Sequence, residues 1–328
     1  MTVPKLVEQM LKGDRRALAR LMTLIENDHP DTNTVLSAIH SRVGQAYVVG
    51  FTGPPGAGKS TLVDRFTGAL RARGLRVGII AIDPSSPFSG GAVLGDRIRM
   101  QSHYLDDDVF IRSMSTRGSH GGLARATRNL ARLLDAFGKQ FILIETVGVG
   151  QTELDVMRIA DTTVVVLVPE AGDTVQTMKA GLLEVADVFV VNKADREGAS
   201  RIKTELETML QLRPQADWNV SVLLTQATDG TGVQELLDTV LRHRDFRQAR
   251  GLGGKRDAQR LLDEFLVVLR DEIARRVQGG VESGHFNALL QQVRRGEIDP
   301  YCAALRVMED PEGLSILLGA RRNSTSRD

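Results

Sequence analysis

The sequence predicts an α/β fold, in which a mostly parallel central sheet is covered by helices on both faces. Two observations lead to this prediction. Short apolar runs rich in β-branched residues alternate with amphipathic segments between about residues 46 and 245. Runs that are apolar on both sides are typical of strands buried between two helical layers. In addition, a glycine-rich segment stands directly between the first of these strands and the helix that follows it.

The elements can be placed one by one along the chain. The predicted strands are AYVVGFTG, RVGIIAID, VFIRSM, QFILIET, TTVVVLV, VFVVNKAD and VSVLLTQ. Helices lie between them, and Gly74, Gly138 and Pro214 end three of these helices. We expect residues 1–42 to form an N-terminal helical extension and residues 43–248 the α/β domain. Residues 249–328 should form a C-terminal helical region beyond the glycine-rich, basic hinge RQARGLGGKRDAQ.

Composition narrows the functional class. The 328 residues carry 42 Lys and Arg against 41 Asp and Glu, so the net charge does not indicate a nucleic-acid or anionic membrane partner. A single cysteine, Cys302, excludes an intramolecular disulfide framework and a cysteine-rich metal site. The N-terminus lacks the uninterrupted apolar core of a signal peptide, and no apolar run approaches the roughly 20 residues of a membrane span. We therefore expect a cytoplasmic protein.

The glycine-rich segment GPPGAGKST, residues 53–61, matches the phosphate-loop pattern G-x-x-x-x-G-K-[ST]. Its position after a strand and before a helix is the context that this pattern requires. Backbone N–H groups of such a loop converge on phosphate oxygens, the lysine reaches the β and γ phosphates, and the serine hydroxyl binds Mg²⁺. The candidate phosphate-binding residues are Gly56, Ala57, Gly58, Lys59, Ser60 and Thr61. The fold prediction becomes that of a P-loop NTPase core.

A second motif indicates which base is bound. Asn192, Lys193 and Asp195 form an N-K-x-D sequence at the end of a predicted strand. A carboxylate at Asp195 accepts hydrogen bonds from the ring N–H and the exocyclic amine of guanine, whereas adenine has no donors at these positions. A site built this way would leave a buried acid unpaired with ATP. We expect GTP and GDP as ligands.

The metal side of the site is predicted around Glu145, which ends the strand FILIE. Gly148 follows three residues later, so the segment reads E-x-x-G where most GTPases have D-x-x-G. The acid should hold Mg²⁺, and the Gly148 N–H should contact the γ phosphate. Because glutamate is longer by one methylene, further ligands are expected, and Asp83 and Asp96 are the candidates. Asp83 could also be a turn residue, and Asp96 a helix N-cap.

Together these segments resemble the MeaB/ArgK/MMAA family, within the class of P-loop GTPases that carry glutamate in the third guanine-nucleotide motif. The resemblance rests on GPPGAGKST, AIDPSSPFSGGAVLGDRIRM, RSMSTRGSHGGLA, IETVGVGQTE and GDTVQTMKAGLLEVADVFVVNKAD, and covers nearly the whole chain. It implies a GTPase chaperone that binds adenosylcobalamin-dependent methylmalonyl-CoA mutase, controls cofactor loading and protects the mutase. It also implies a homodimer joined through C-terminal helices.

The resemblance adds further residues to the site. Asp83, Asp96 and Glu145 match the family's acidic positions around Mg²⁺, and Lys179 lies in a segment that matches a third switch. The last guanine loop reads TQATDG, with Gln226 where the family usually has serine. We expect the Ala227 backbone N–H to reach the guanine oxygen in spite of this change.

Hydrolysis is expected to be slow in the isolated protein. Ras-like enzymes orient the attacking water with a glutamine directly after the D-x-x-G glycine. Val149 occupies that position, and Gln151 lies two residues further along, where it could be catalytic or a structural amide. The candidate catalytic residues are Lys59, Glu145, Gln151 and Lys179.

Several alternatives stay open from the sequence. GTPases of this glutamate class also deliver nickel or zinc, although this chain lacks a cysteine or histidine cluster for such a cargo. Close relatives of methylmalonyl-CoA mutase could be the partner instead. Protein phosphorylation and a non-hydrolysing scaffold are further possibilities. The segment at residues 115–124 could bind a second phosphate or could simply lead into a helix. The apolar helix around Leu262, Phe265 and Leu269 could pack internally rather than in a dimer.

Overall fold

The computed structural model describes residues 2–83, 101–115, 122–146, 148, 157–169, 182–212, 217–252, 258–282, 284, 286–310 and 315. The chain separates into two compact units, residues 1–257 and 258–328. The first unit contains the N-terminal helices together with the whole sheet. The domain boundaries expected from the sequence, at residues 42 and 248, stay predictions.

Seven parallel strands form the sheet of the first unit. They are β1 (Tyr47–Thr52), β2 (Val77–Asp83), β3 (Val109–Ser115), β4 (Phe141–Glu145), β5 (Thr162–Leu167), β6 (Val188–Val191) and β7 (Ser221–Leu224). Their order across the sheet is β3-β2-β4-β1-β5-β6-β7. Each apolar run predicted from the sequence coincides with one of these strands to within one residue at β3 and contains the strand elsewhere, so the predicted α/β class is confirmed. All carboxyl ends lie at one edge, where α/β proteins bind their ligands.

Eight α-helices are described in this unit. They are α1 (Val3–Leu11), α2 (Arg15–Glu26), α3 (Thr32–Ile39), α4 (Lys59–Ala72), α5 (Gly122–Ala136), α6 (Leu182–Val185), α7 (Ala199–Gln211) and α8 (Val233–Ala249). Gly74 follows α4 with a φ of 73°, and Gly138 follows α5 with a φ of 94°. Left-handed glycines of this kind end helices without the steric penalty that a Cβ would bring.

Alternate residues of the strands pack into separate layers on the two faces. On one face, Val49 and Phe51 of β1 lie in a core shared with Phe66 of α4 and with Leu237 of α8. On the other face, α1, α2, α3 and α5 cover β2 and β4, and α7 covers β5 and β6. Burial of large apolar side chains, each worth roughly 1.5–3 kcal/mol, stabilises both layers.

Polar contacts join the N-terminal helices to the sheet. The Asp135 carboxylate, on α5, accepts hydrogen bonds from the backbone N–H groups of residues 44–46, directly before β1. Arg112 of β3 pairs with Glu26 at the end of α2, and Arg125 of α5 lies 2.8 Å from Asp28. The N-terminal helices are therefore part of the same packed unit as the sheet.

The second unit is helical. It contains α9 (Ala258–Glu282), α10 (Asn287–Arg294) and α11 (Pro300–Glu309). Asp299 caps α11 by accepting hydrogen bonds from the N–H groups of Tyr301 and Cys302. In the described ranges, no helix of either unit combines the length and apolar character that a membrane crossing requires.

Candidate functional site

The phosphate loop leaves β1 at the centre of the sheet and enters α4. Gly53 approaches β5 so closely that a Cβ at this position would lie 2.0 Å from the Val166 carbonyl oxygen. Gly58 directly precedes α4 with a φ of 84°, and a Cβ there would lie 2.4 Å from Nδ2 of Asn192. The glycines of the motif therefore allow the loop to pass between a strand and a buried side chain. The positive end of the α4 dipole then faces the loop.

Lys59 is buried inside this loop. Its Nζ donates to the carbonyl oxygens of Gly53, at 2.8 Å, and Pro54, at 3.0 Å. A buried ammonium needs hydrogen-bond acceptors to offset its lost hydration. These carbonyls supply such acceptors and hold the positive charge at the loop, where phosphate oxygens would be bound.

Ser60 and Glu145 meet although 85 residues separate them. The Ser60 Oγ donates to Oε1 of Glu145 at 2.6 Å, and both side chains are buried. The sheet brings them together, because Glu145 ends β4 beside Phe51 of β1, and Ser60 follows in the loop and helix after β1. Ala81 of β2 also pairs with Glu145, so Asp83 is placed two residues beyond, at the same carboxyl edge. Hydroxyl and carboxylate oxygens are the donors that Mg²⁺ prefers.

Gly148 is fixed by two threonines from the ends of neighbouring strands. Its carbonyl oxygen accepts from Thr52 Oγ1 at 2.8 Å and from Thr146 Oγ1 at 3.2 Å. The two hydroxyls are themselves 3.0 Å apart. With its carbonyl held in this way, the Gly148 peptide is oriented at the edge of the sheet next to Glu145.

Asn192 links the two halves of the site. Its Nδ2 donates to the Ala57 carbonyl of the phosphate loop at 2.8 Å. Its Oδ1 accepts from the Ala227 N–H at 3.0 Å and from Thr225 Oγ1 at 3.1 Å. The side chain is buried, so these bonds are shielded from water. Asn192 thus connects the phosphate loop with the loop after β7.

Lys193 and Asp195 follow directly. Lys193 has a φ of 56°, a left-handed conformation that a non-glycine residue adopts at a cost of roughly 1–3 kcal/mol. Such strain is frequent at ligand sites. Asp195 is exposed, and no side chain in the described part of the chain pairs with its carboxylate. An acid held at a strand end in this manner can accept hydrogen bonds from a base.

The loop at residues 225–232 faces Asn192. Gln226 N–H donates to the Thr231 carbonyl at 3.0 Å, which closes the loop, and Ala227 is buried. Arg65 of α4 donates to the carbonyls of Ala227, at 3.2 Å, and Thr228, at 2.6 Å. The Ala227 N–H, which we expected to face a guanine oxygen, donates to Asn192 in this structure. The replacement of serine by Gln226 leaves this part of the loop closed by backbone contacts.

Some predicted residues cannot be placed. Asp96, Gln151 and Lys179 lie outside the described residues, as do Val149 and most of the segment at 115–124. Conversely, motif matching missed Thr52, Thr146 and Arg65. The two threonines could have been found, since polar residues that end adjacent predicted strands face the same edge. Arg65 had no such signal, because its contacts depend on where the packing of α4 places it beside the loop that follows β7.

Comparison with known proteins shows which family contains this chain. A family model described as methylmalonyl Co-A mutase-associated GTPase MeaB matches residues 18–282. The chain belongs to the MeaB family. The match spans the phosphate loop, Glu145, Asn192 and the loop that contains Ala227, so the site lies wholly within the shared region.

Relatives in other organisms agree with this membership in the MeaB family. A protein of Pyrococcus abyssi, named provisionally as a GTPase, is 48% identical over 312 residues, which cover 94% of this chain and 96% of that protein. The methylmalonic aciduria type A homolog, mitochondrial, of Mus musculus is 36% identical over 277 residues, or 78% of this chain and 67% of that protein. A crystal structure described as a LAO/AO transport system kinase superposes with a TM-score of 0.70 and 27% identity, over 94% of this chain and 97% of that one.

Proposed function

We propose that this protein is a GTP-hydrolysing chaperone of adenosylcobalamin-dependent methylmalonyl-CoA mutase, which assists cofactor loading and protects the mutase. The observation that carries the proposal is the match of residues 18–282 to a model of mutase-associated GTPases. A related cobalamin-dependent acyl-CoA mutase, or a metalloenzyme that receives its metal from such a GTPase, is the alternative partner. Cys302 is the one cysteine, which fits the reducing cytoplasm as the proposed location.

The proposed nucleotide lies along the carboxyl edge of the sheet. Its phosphates contact the backbone of residues 56–61 and the ammonium of Lys59, which is already held at the loop. Its guanine contacts Asp195, whose exposed carboxylate accepts the two donors of the base, and lies between the Lys193 backbone and the Ala227 loop. The Gly148 N–H contacts the γ phosphate, a role that the anchored Gly148 carbonyl supports.

Mg²⁺ fits the residues at the other end of the site. Ser60 Oγ and Glu145 Oε1 are 2.6 Å apart, so both oxygens can turn towards one cation. In the described ranges, no three His, Cys, Asp or Glu side chains converge. We infer that phosphate oxygens and water complete the shell, with contributions from Asp83 and Asp96. When bound, Mg²⁺ would neutralise charge on the β and γ phosphates.

For hydrolysis, we assign Lys59 to stabilisation of charge that develops on the phosphates and Glu145 to positioning of the metal. Gln151 is proposed to orient water and Lys179 to act from the third switch. Because Val149 stands where Ras-like enzymes have glutamine, the isolated protein should turn over slowly, at about 10⁻² s⁻¹ or below. A partner that orders the segments around Gln151 and Lys179 should accelerate it.

The test is GTP hydrolysis by the purified full chain, with and without stoichiometric methylmalonyl-CoA mutase. Turnover should rise by about tenfold or more with the mutase, which corresponds to roughly 1.4 kcal/mol of barrier lowering. Lys59→Ala should lose hydrolysis in both conditions. Lys12→Ala is the matched control, since Lys12 directly follows α1, is exposed and pairs with Glu8.

Labelled γ phosphate makes the outcomes distinct. Release of the label as inorganic phosphate supports hydrolysis. Transfer of the label to a protein would support a kinase instead, which is how the related crystal structure is described. If the mutase alters neither turnover nor nucleotide affinity, the proposed partner is wrong. If Lys59→Ala behaves like Lys12→Ala, the phosphate-loop assignment is wrong.

A further inference from the structure

Arg65 lies on the helix of the phosphate loop but contacts the loop at the opposite end of the proposed nucleotide. It is the seventh residue of α4, in the second turn, and its side chain lies at the surface. Its Nε donates to the Ala227 carbonyl at 3.2 Å, and its terminal nitrogen donates to the Thr228 carbonyl at 2.6 Å. A planar guanidinium that holds two consecutive carbonyls fixes their orientation as well as their position.

The Ala227 backbone is therefore held on both sides of its Cα. Asn192 accepts a hydrogen bond from the Ala227 N–H, and Arg65 donates to the Ala227 carbonyl oxygen. Both contacts lead back to the phosphate loop, because Asn192 also binds the Ala57 carbonyl and Arg65 extends from α4. The loop with Ala227 is thus fixed relative to the phosphate loop rather than only to its own strand.

Hydrogen bonds within the loop join its two ends, and Arg65 holds the carbonyls of Ala227 and Thr228 between them. Gln226 N–H donates to the Thr231 carbonyl, and Gly230 N–H donates to the Gln226 carbonyl, so these bonds join the two ends of the loop. Gly232 lies against β7, since a Cβ there would be 2.2 Å from the Leu224 carbonyl oxygen. The carbonyls of Ala227 and Thr228 lie between these fixed ends and point towards α4.

We propose that Arg65 is a positioning residue for the purine 6-oxo group. This inference rests on the proposed function, in which the Ala227 N–H donates to guanine O6. When guanine binds, this N–H must share or leave its bond to Asn192. The Arg65 guanidinium holds the next two carbonyls and so limits rotation of the backbone at Ala227 during that change, which keeps the N–H facing the base. Arg65 itself contacts neither the phosphates nor the base.

The test is a two-by-two comparison of nucleotide affinity. Dissociation constants of GDP and 6-thio-GDP are measured for the wild type and for Arg65→Met, which keeps the aliphatic stem and removes the donors. Sulfur is a poor acceptor at the position of O6, so the contact that Arg65 supports is already weak in 6-thio-GDP. We expect the substitution to weaken GDP binding about fivefold or more and 6-thio-GDP binding less than twofold.

Arg73→Met is the matched control. Arg73 is also an arginine, directly after the C-terminal end of α4, and pairs with Asp238 of α8 at 2.6 Å, away from the loop that contains Ala227. Its affinities for both nucleotides should stay within twofold of the wild type. Turnover at saturating GTP should change less than twofold in Arg65→Met, because the residues at the phosphates are retained.

The outcomes separate this inference from the proposed function. If the wild type binds GDP no better than ADP, the proposed function fails and the role of Arg65 fails with it. If the wild type prefers GDP but Arg65→Met binds it as tightly as Arg73→Met does, only the positioning role is overturned. An equal loss for GDP and 6-thio-GDP would also overturn that role. Should Arg65→Met lack a thermal unfolding transition, Arg65→Lys, which cannot span both carbonyls, is measured in the same way.

Discussion

Gly58 lies close to Asn192, where the phosphate loop approaches the proposed base-binding part of the site. Its φ of 84° and the short distance from a virtual Cβ to Asn192 Nδ2 place two separate demands on this position. Gly56, two residues earlier, has a φ of 77° but no heavy atom within 4 Å of its virtual Cβ. A substitution of Gly56 therefore tests backbone strain alone, whereas a substitution of Gly58 tests backbone strain together with the steric clash with Asn192.

We predict that Gly58→Ala weakens GDP binding by about tenfold or more, because the methyl group displaces Asn192 from the Ala57 carbonyl. Gly56→Ala bears only the penalty of its left-handed backbone, about 1 kcal/mol. Urea unfolding and GDP affinity of both variants check this. Equal effects of the two substitutions on affinity would contradict a role for the contact with Asn192.

At the scale of elements, a polar cluster joins the amino ends of three strands to α8, at the edge opposite the nucleotide site. His243 of α8 lies 2.9 Å from Thr162 Oγ1 through Nδ1 and 3.5 Å from Asp187 Oδ1 through Nε2. Tyr47 OH is 2.6 Å from the same Thr162 oxygen. Trp218 packs on the His243 ring, with centroids 4.6 Å apart.

Two acid–base groups of this cluster, His243 and Asp187, have pKa values shifted in opposite directions. Burial, with the nearby charge of Arg247, lowers the pKa of His243 from 6.5 to about 4. Burial raises the pKa of Asp187 from 3.8 to about 6, although the hydrogen bond from the Thr163 N–H acts in the opposite direction. The unfolded chain binds an extra proton at His243 between about pH 4 and 6.5, so the contribution of His243 to the free energy of unfolding decreases as pH falls. The folded chain binds an extra proton at Asp187 between pH 3.8 and about 6, so the contribution of Asp187 to the free energy of unfolding decreases as pH rises.

These opposite contributions should largely cancel in the wild type between about pH 4 and 6. We predict that Asp187→Asn removes the compensation, so its free energy of unfolding falls more steeply than that of the wild type as pH drops from 6.5 to 4. His243→Gln should show the reverse difference. Urea unfolding at a series of pH values measures both slopes. Parallel pH profiles for the wild type and the two variants would refute the compensation.

At the scale of the whole molecule, α9 has an exposed apolar stripe. Its members recur at helical spacing and have exposed fractions between 36% and 58%; they are Leu262, Phe265, Leu266, Val268, Leu269, Ile273 and Val277. Such a stripe on a helix of 25 residues indicates contact with another apolar surface. We therefore propose that α9 forms the interface of the homodimer that the sequence resemblance implies.

If α9 forms the interface of a homodimer, we predict that Leu266→Glu gives a monomer at micromolar concentration, because an unpaired carboxylate in an apolar interface is strongly unfavourable. Leu212→Glu is the control, since Leu212 is 83% exposed in the first unit. Sedimentation velocity across a concentration series measures the assembly. A wild type that sediments as a monomer at every concentration would exclude the homodimer.

The sequence by itself determined the class of fold and the strand positions, because apolar runs and helix-ending glycines act over a few residues. It also indicated Lys59, Glu145 and Asp195 as candidates, since each occupies a fixed place in a short motif. Only the tertiary structure decided which side chains meet across the chain. Ser60 contacts Glu145 over 85 residues, Asn192 contacts Ala57 over 135, and Arg65 contacts Ala227 over 162. The motifs had indicated that Ser60 and Glu145 share one Mg²⁺ site, but the direct contacts depend on strand order and helix packing, which no local pattern specifies.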